Sequence, residues 1–254
     1  MIDASGVSLP RRGQVPRFAK YSSRTGVGGA HGETAEAIVN PGMVASVNVG
    51  VPRTVTWAGR SVTSAIWKEP VGGRVAVAGV NLAGDDQADR RVHGGPDKAV
   101  YSYSVEDYAS WSAELGTELG PTTFGENITT EGVDLAASVI GTRWRIGSVV
   151  FEVAQPRQPC FKLGMRMGDP RFVDRFADAG RPGAYLRIIE EGEIGAGDAI
   201  VVGESPAHGL TIADLDDAQH GASREQLERI AAIAAVPAGW RDWAERQLHR
   251  HHRG

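Results

Sequence analysis

Short runs of β-branched and aromatic residues limit the fold more than any other feature of the sequence. They recur after residue 40, bounded by Gly, Pro, Asp or Asn, as MVASVNVG, RVAVAGVNL, AVYSYS, SVVFEVA, YLRII and AIVVG. The segment WRIGSVVFEV predicts a hairpin that turns near Gly147 and Ser148. Short strands separated by turn residues are typical of a β-sandwich or a β-barrel. We therefore predict a mainly β protein with some α-helix.

Two helices are predicted between the strands. Ser104 can cap the segment VEDYASWSAEL, with Asp107 at the capping-box position. Asp169 can cap the segment PRFVDRFADAG, in which Pro170 would take the first helical position and Gly180 would end the helix.

The last part of the chain has a different pattern. The segments LTIADLDDAQ, SREQLERIAAIAAV and GWRDWAERQLHR predict three short helices. Trp240, Trp243 and Ala244 fall on one face of the last helix. So short a segment buries little core alone, and we expect it to dock on the β domain or on a partner.

Three parts of the chain follow from these patterns. We predict a flexible leader over residues 1–39, a β domain over residues 40–205 and a three-helix segment over residues 206–254. The terminal HRHHRG resembles a metal-binding tract, but nothing fixes its geometry, so we interpret it as a solvated basic tail.

Composition excludes several classes of protein. The net charge is −4 and the isoelectric point is about 6.0, which gives no basic footprint for nucleic acid. One cysteine cannot form an internal disulfide. No apolar run approaches the roughly 20 residues that a membrane helix needs. We expect a cytoplasmic protein that binds neither nucleic acid nor membrane.

The one cysteine, Cys160, lies in the segment QPRQPCFKLG. Most single cysteines are small buried hydrophobic residues, and that interpretation stays open. This one, however, lies between Arg157 and Lys162, and neighbouring cations lower the pKa of a thiol. A thiolate held in a proline-restricted segment is a nucleophile or a ligand for a soft metal centre.

A polar segment between two predicted strands, GDDQADRRVHGGPDKAVY, is the second candidate. Gly94 and Gly95 allow the backbone to approach a ligand closely, while His93 and Lys98 offer hydrogen-bond donors to an anionic group. The alternative is an ordinary polar loop whose side chains satisfy its own turns.

The segment FGENIT is the third candidate. Asn127 can donate and accept hydrogen bonds at once, which suits recognition of a heterocycle edge, or it can form an Asx turn at a strand start. His93 and Asn127 could also serve Cys160 as in a cysteine hydrolase, although no local signature of such enzymes surrounds the cysteine. Scattered histidines and one cysteine argue against a zinc site.

Taken together, these segments resemble the MOSC domain, named for its presence at the C-terminus of molybdenum-cofactor sulfurases. The resemblance covers about residues 41–203 and rests on D-x-Q-A-D, H-G-G-x-x-K-A-V-Y, F-G-E-N and Q-P-R-x-P-C-x-K in this order. The final helices are similar to those of stand-alone bacterial members. The resemblance implies a MOSC-type β-barrel with a small C-terminal helical segment.

The resemblance also implies a cofactor and a reaction. The cofactor is a molybdopterin carrying molybdenum, with Cys160 as the protein's sulfur ligand. Related enzymes reduce N-hydroxylated compounds, and this chain would take electrons from a separate flavin or iron–sulfur reductase. The alternatives are a carrier of the cofactor and a persulfide carrier on Cys160.

Roles for the remaining candidates follow from that resemblance and from charge. Lys68, Lys98 and Arg53 would neutralise the cofactor phosphate. Arg157 would keep Cys160 ionised. The groups assigned to the pterin or the substrate are His93, Gly94, Gly95 and Asn127.

Overall fold

The computed structural model describes residues 42–88 and 94–251. The predicted leader, residues 1–39, and the candidate His93 lie outside the described residues. In chain order the strands are β1 (Gly42–Val49), β2 (Arg53–Trp57), β3 (Arg60–Ser64), β4 (Glu69–Pro70), β5 (Val75–Ala78), β6 (Asn81–Leu82), β7 (Val100–Ser104), β8 (Ile128–Glu131), β9 (Arg143–Ile146), β10 (Val149–Pro156), β11 (Ala184–Glu190), β12 (Gly192–Ile194) and β13 (Ala199–Val202).

Seven of these strands form a closed barrel. Their order is β13-β9-β10-β11-β7-β8-β1, and pairing of β1 with β13 closes the barrel. Neighbouring strands are antiparallel except β7 and β8, which are parallel. Val44, Ile128 and Phe151 are fully buried, as expected of side chains that point into a filled barrel. The predicted fold class, mainly β with some α-helix, is confirmed. Of the two architectures that the strand pattern left open, a sandwich and a barrel, the structure is a barrel.

One hairpin was predicted and two were missed, one of them because RVAVAGVNL was taken as a single strand but forms the hairpin of β5 and β6. β9 and β10 form the predicted hairpin, turning at Gly147 with a φ of 56°. β2 and β3 form a second hairpin through a two-residue turn, Ala58 and Gly59, with φ values of 49° and 74°. Positive φ at both positions matches the twist of the flanking strands.

The α-helices are α1 (Val105–Leu115), α2 (Phe161–Met167), α3 (Phe172–Asp178), α4 (Ile212–Asp217), α5 (Arg224–Ala232) and α6 (Ala238–His251). Ser104 caps α1 as predicted, since its Oγ accepts a hydrogen bond from the Asp107 amide at 3.1 Å. None of the helices within residues 42–88 and 94–251 has the length and apolarity to cross a membrane.

The predicted start of α3 was wrong by two residues. Arg171, not Asp169, precedes the first helical residue, and Pro170 lies in the turn before the helix. The Asp169 carboxylate accepts a hydrogen bond from the Arg171 amide at 3.0 Å, so it closes a turn instead of capping a helix.

The three C-terminal helices pack on the barrel. The sequence had left two arrangements open, docking on the β domain and docking on a partner, and the structure shows the first. Leu215, Ile230, Trp240 and Ala244 belong to the same hydrophobic core as the barrel strands. Trp240 also donates a hydrogen bond from its indole N–H to the Gln155 Oε1 of β10 at 2.7 Å. Apolar burial and one directed polar contact therefore fix α6 against the barrel.

Candidate functional site

A cavity opens at the end of the barrel where β10 ends and β7 and β11 begin. Its volume is about 110 Å³ and it opens to solvent, so a ligand larger than this would extend out of its mouth. Side chains from four separate loops and strand ends line it. Among them are five of the predicted site residues: Lys68, Lys98, Asn127, Arg157 and Cys160.

We call Gln158, Cys160 and Lys162 the open wall of this cavity. Cys160 follows β10 and immediately precedes α2, with an extended backbone and a half-buried side chain. Within the described part of the chain, none of the three side chains has a hydrogen-bond or ion-pair partner. The open wall therefore offers a thiol, an ammonium group and an amide to a ligand.

Arg157 lies behind the thiol and is buried. Its guanidinium donates a hydrogen bond to the Phe124 carbonyl and lies 4.8 Å from the ring centroid of Tyr101. Burial opposes its charge, but the hydroxyls of Tyr101 and Tyr185 and the thiol of Cys160 act in the other direction and raise its pKa. Arg157 therefore places a buried positive charge next to Cys160.

Lys98 supplies a second cation on another side of the cavity. Its side chain is half-buried at the end of a short 3₁₀ turn, Pro96–Lys98. Desolvation lowers the pKa of this amine, while the nearby Asp97 and Cys160 partly offset that effect. A lysine with a lowered pKa can give up a proton more readily near neutral pH than an exposed one.

We call Lys68, Asp85 and Asn127 the locked wall, because their side chains bind one another. The Asp85 carboxylate accepts hydrogen bonds from Lys68 Nζ, from the Gly50 amide at 2.8 Å and from Asn127 Nδ2 at 2.9 Å. The Lys68 and Asp85 side chains are 8% and 1% exposed. Desolvation lowers the pKa of Lys68, and Asp85 counters it.

Asn127 makes contacts in three directions. In addition to its hydrogen bond with Asp85, the Asn127 side chain donates a hydrogen bond from Nδ2 to the Asn48 carbonyl at 3.3 Å. Its Oδ1 accepts a hydrogen bond from the Tyr101 amide at 3.2 Å. The side chain thus ties the ends of β1 and β7 to the Asp85 loop. Its hydrogen-bonding groups are occupied by the protein, so it shapes the cavity more than it presents a free edge to a ligand.

Glu126 is fully buried directly behind the locked wall. Its carboxylate accepts hydrogen bonds from the Tyr108 hydroxyl at 2.7 Å, the Thr122 amide at 2.6 Å and the Thr129 hydroxyl at 2.9 Å. Desolvation nevertheless raises its pKa, because these contacts offset the cost of burial only in part. The group acts as a structural acceptor that holds the FGEN segment in place.

The remaining predicted residues lie elsewhere. Gly94 and Gly95 line a neighbouring cleft, which shares Lys98 and Gln158 with the cavity. Arg53 lies on β2, outside the lining residues, with its guanidinium 4.3 Å from the centroid of the Trp67 ring. The cofactor roles of these residues and of His93 stay predictions.

The cavity does not resemble a metal site built from protein ligands alone. The described residues contain no group of three or more His, Cys, Asp or Glu side chains that could hold a metal ion. Cys160 is the single thiol of the chain. A metal bound beside it would have to bring most of its own ligands.

Sequence reasoning missed three residues of the site. Asp85 begins the D-x-Q-A-D motif, but no role of its own was predicted for it, and its buried contacts reveal one. Tyr101 and Tyr185 line the cavity from strand positions that the pattern assigns to the core. The alternation of residues along a strand predicts which side chains point into the barrel. It does not predict which of them lie at the end of the barrel, next to the cavity.

Comparisons with known proteins agree with this geometry. A family model described as "MOSC domain" matches residues 89–201. YflK of Bacillus subtilis, an uncharacterized protein, is 34% identical over 200 residues, which are 78% of this chain and 90% of YflK. A Gibberella moniliformis protein named "Reductase" is 34% identical over 170 residues, 65% of this chain and 30% of that protein.

A solved structure shows the same fold. YiiM from Geobacillus stearothermophilus aligns with a TM-score of 0.69 and 30% sequence identity, over 82% of this chain and 100% of that chain. The similarity to YflK extends over nearly the whole of that relative, and the family match includes Cys160 and the strands around it. The chain belongs to the MOSC-domain family.

Proposed function

We propose that this protein is a molybdenum-cofactor-dependent oxidoreductase that reduces N-hydroxylated compounds. The observation that carries the proposal is the open wall: a half-buried thiol beside cations, in a cavity open to solvent, without a hydrogen-bond partner among the described residues. The family and the printed name of the fungal relative support a reductive role.

The residues present fit that cofactor. A thiolate is a soft ligand that suits a soft metal centre, and one protein ligand suffices when the cofactor brings its own sulfur donors. Polybasic surroundings match an anionic cofactor: Lys98, Arg157 and Lys162 all line the cavity. When bound, the cofactor supplies the two-electron redox change, which is its own chemistry.

Each side chain then has a definite task. Cys160 would hold the metal, and Arg157 would place a buried positive charge beside it. Lys162 would neutralise the phosphate as a point charge. Asp85 already neutralises Lys68, so we assign that pair to shaping the cavity.

The reaction consumes protons as well as electrons. R-NH-OH with two electrons and two protons gives R-NH₂ and water. Lys98 is our candidate proton donor, because its half-buried amine lines the cavity and burial lowers its pKa. Its Nζ would release a proton to the departing oxygen and regain one from solvent.

The electrons must come from another protein. A chain with one cysteine cannot hold an iron–sulfur cluster by itself. We therefore propose a separate flavin or iron–sulfur reductase as the donor.

The second candidate is a carrier, either of the cofactor or of a persulfide on Cys160. The exposure of the thiol favours it, because a half-buried sulfur can exchange with another protein. A persulfide carrier would work without molybdenum.

The test uses the molybdenum-loaded protein with reduced viologen and either benzamidoxime or an N-hydroxylated purine. We expect amidine or amine to form, with donor oxidation matching product. Loading with tungsten instead should lower the rate. Full molybdenum loading without turnover of any N-hydroxylated compound would overturn the reductase and favour the carrier.

A further inference from the structure

We propose that the outer edge of the cavity is a docking surface for an acidic electron-transfer protein. This surface consists of Arg53, Phe161, Lys162 and Arg166, and we call it the basic rim. The inference rests on the proposed reductase function, because it names the kind of protein that delivers the electrons.

Phe161 is an exposed aromatic side chain immediately next to Cys160. It occupies the first position of α2 and is 54% exposed, although most large apolar side chains around it are buried. An aromatic ring at the centre of a polar surface is the usual anchor of a protein interface. A partner seated on Phe161 would lie one residue from the thiol.

Two cations share α2 with Phe161, and a third lies near one of them. Lys162 and Arg166 are four residues apart on α2 and therefore lie on the same face of the helix. Arg166 is close enough to Arg53 for their charges to repel, which together with burial lowers the pKa of Arg166. Arg53 itself lies against Trp67, next in the chain to Lys68 of the cavity wall.

These three cations are unpaired within the described residues. None of them forms an ion pair with a carboxylate there, and the buried Nε of Arg166 has no hydrogen-bond partner. Some cations elsewhere are compensated: Arg74 pairs with Asp198 at 2.6 Å, and Arg187 pairs with Glu152 at 2.7 Å.

The positive charge is local. The whole chain carries a net charge of −4. The neighbouring helix α3 is mixed in sign, because it holds Asp174 and Asp178 beside Arg175. A positive rim at the mouth of a functional cavity in an acidic protein steers acidic partners to that mouth and repels basic ones.

The donor must supply two electrons per turnover. A reduced flavoprotein meets this need, since its flavin hydroquinone is oxidised to the quinone as R-NH-OH takes up two electrons and two protons and becomes R-NH₂ and water. The protons come from the donor and from solvent. Docking on the basic rim would bring the flavin to the side of the cavity that holds Cys160.

The first measurement is turnover by Phe161→Glu, Arg166→Glu and the double variant with reduced flavodoxin, an acidic flavoprotein. Arg145→Glu is the charge-matched control for Arg166→Glu, because Arg145 on β9 lies opposite Val150, at the end of β10 far from Cys160. At low ionic strength we expect the double variant to lose at least about tenfold in kcat/KM, and the control to change by less than about twofold. With a neutral sulfonated viologen as donor, all variants should match the wild type.

The second measurement does not depend on activity. The affinity of cofactor-free protein for oxidised flavodoxin should fall about tenfold in the double variant, and in the wild type it should weaken as salt rises. Basic cytochrome c should not bind. Unchanged flavodoxin affinity and unchanged turnover in the double variant would overturn the docking surface. Absence of turnover with the sulfonated viologen in the wild type would instead refute the reductase, while the affinities would still decide the docking surface.

Discussion

The two walls of the cavity differ in how their polar groups are satisfied. In the locked wall, Lys68, Asp85 and Asn127 bind one another and are shielded from solvent. In the open wall, Gln158, Cys160 and Lys162 have no hydrogen-bond partner among the described residues. Buried polar groups that satisfy each other stabilise a fold, whereas polar groups left unsatisfied around a cavity are available to a ligand. Substitutions in the locked wall should therefore change the stability of the fold. Substitutions in the open wall should change the retention of a ligand.

The largest effect on stability should come from Asp85→Ala. It leaves the buried Lys68 ammonium, the Gly50 amide and the Asn127 amide group without their shared acceptor. Removing one partner of a buried ion pair typically costs about 3–5 kcal/mol. We expect a loss of that order in the free energy of unfolding, measured by urea denaturation.

The matched control is the double variant Asp85→Ala with Lys68→Met. Because it also removes the unpaired charge, it should recover much of the lost stability. An Asp85→Ala protein within about 0.5 kcal/mol of the wild type, the range of ordinary surface changes, would show that this wall is not locked.

A smaller effect is the pH dependence of stability that Glu126, behind the locked wall, should cause. Burial raises the folded-state pKa of Glu126 above its ordinary value of 4.5. Its stabilising contribution is therefore complete below the unfolded pKa and is lost as pH rises through the folded pKa. Relative to Glu126→Gln, the wild type should be most stable in acid and lose that advantage towards neutral pH. The measurement is the difference in unfolding free energy between the two proteins across this range, and a difference that is flat or grows with pH would refute the assignment.

The smallest effect on stability should come from the open wall. Lys162→Ala should change the free energy of unfolding by less than about 0.5 kcal/mol, because its ammonium has no partner among the described residues. Cofactor retention after gel filtration should fall all the same. A variant that loses stability but keeps the cofactor would reverse our comparison of the two walls.

Most of the barrel could be predicted from the sequence because its strands are β-branched runs with turn residues between them. β1, β7, β10 and β11 all coincide with such runs. β8 was anticipated only as a strand start after Asn127, because its four residues, ITTE, carry little pattern. Its parallel pairing with β7 is a tertiary feature that local propensity does not encode.

The candidate site was predictable only in part. Cys160, Lys98 and Arg157 were identified from unusual residue types in Gly- or Pro-restricted segments, and the structure brings them into one cavity. Which polar side chains would bind each other could not be predicted. The sequence favoured Lys68 and Asn127 as ligand contacts, but Asp85 lies 17 and 42 residues away from them along the chain and binds both. Pairing at such separations depends on how the barrel closes.

The most direct test of the central claim is the molybdenum content of Cys160→Ala, made beside the wild type in a host that synthesises the cofactor. The thiol lies in the open wall, so the melting temperature of the variant should match that of the wild type. Our account predicts near-stoichiometric molybdenum in the wild type and almost none in the variant, with both proteins folded. Equal molybdenum in the two proteins would contradict the account, and a variant that unfolds would show that Cys160 is a structural residue.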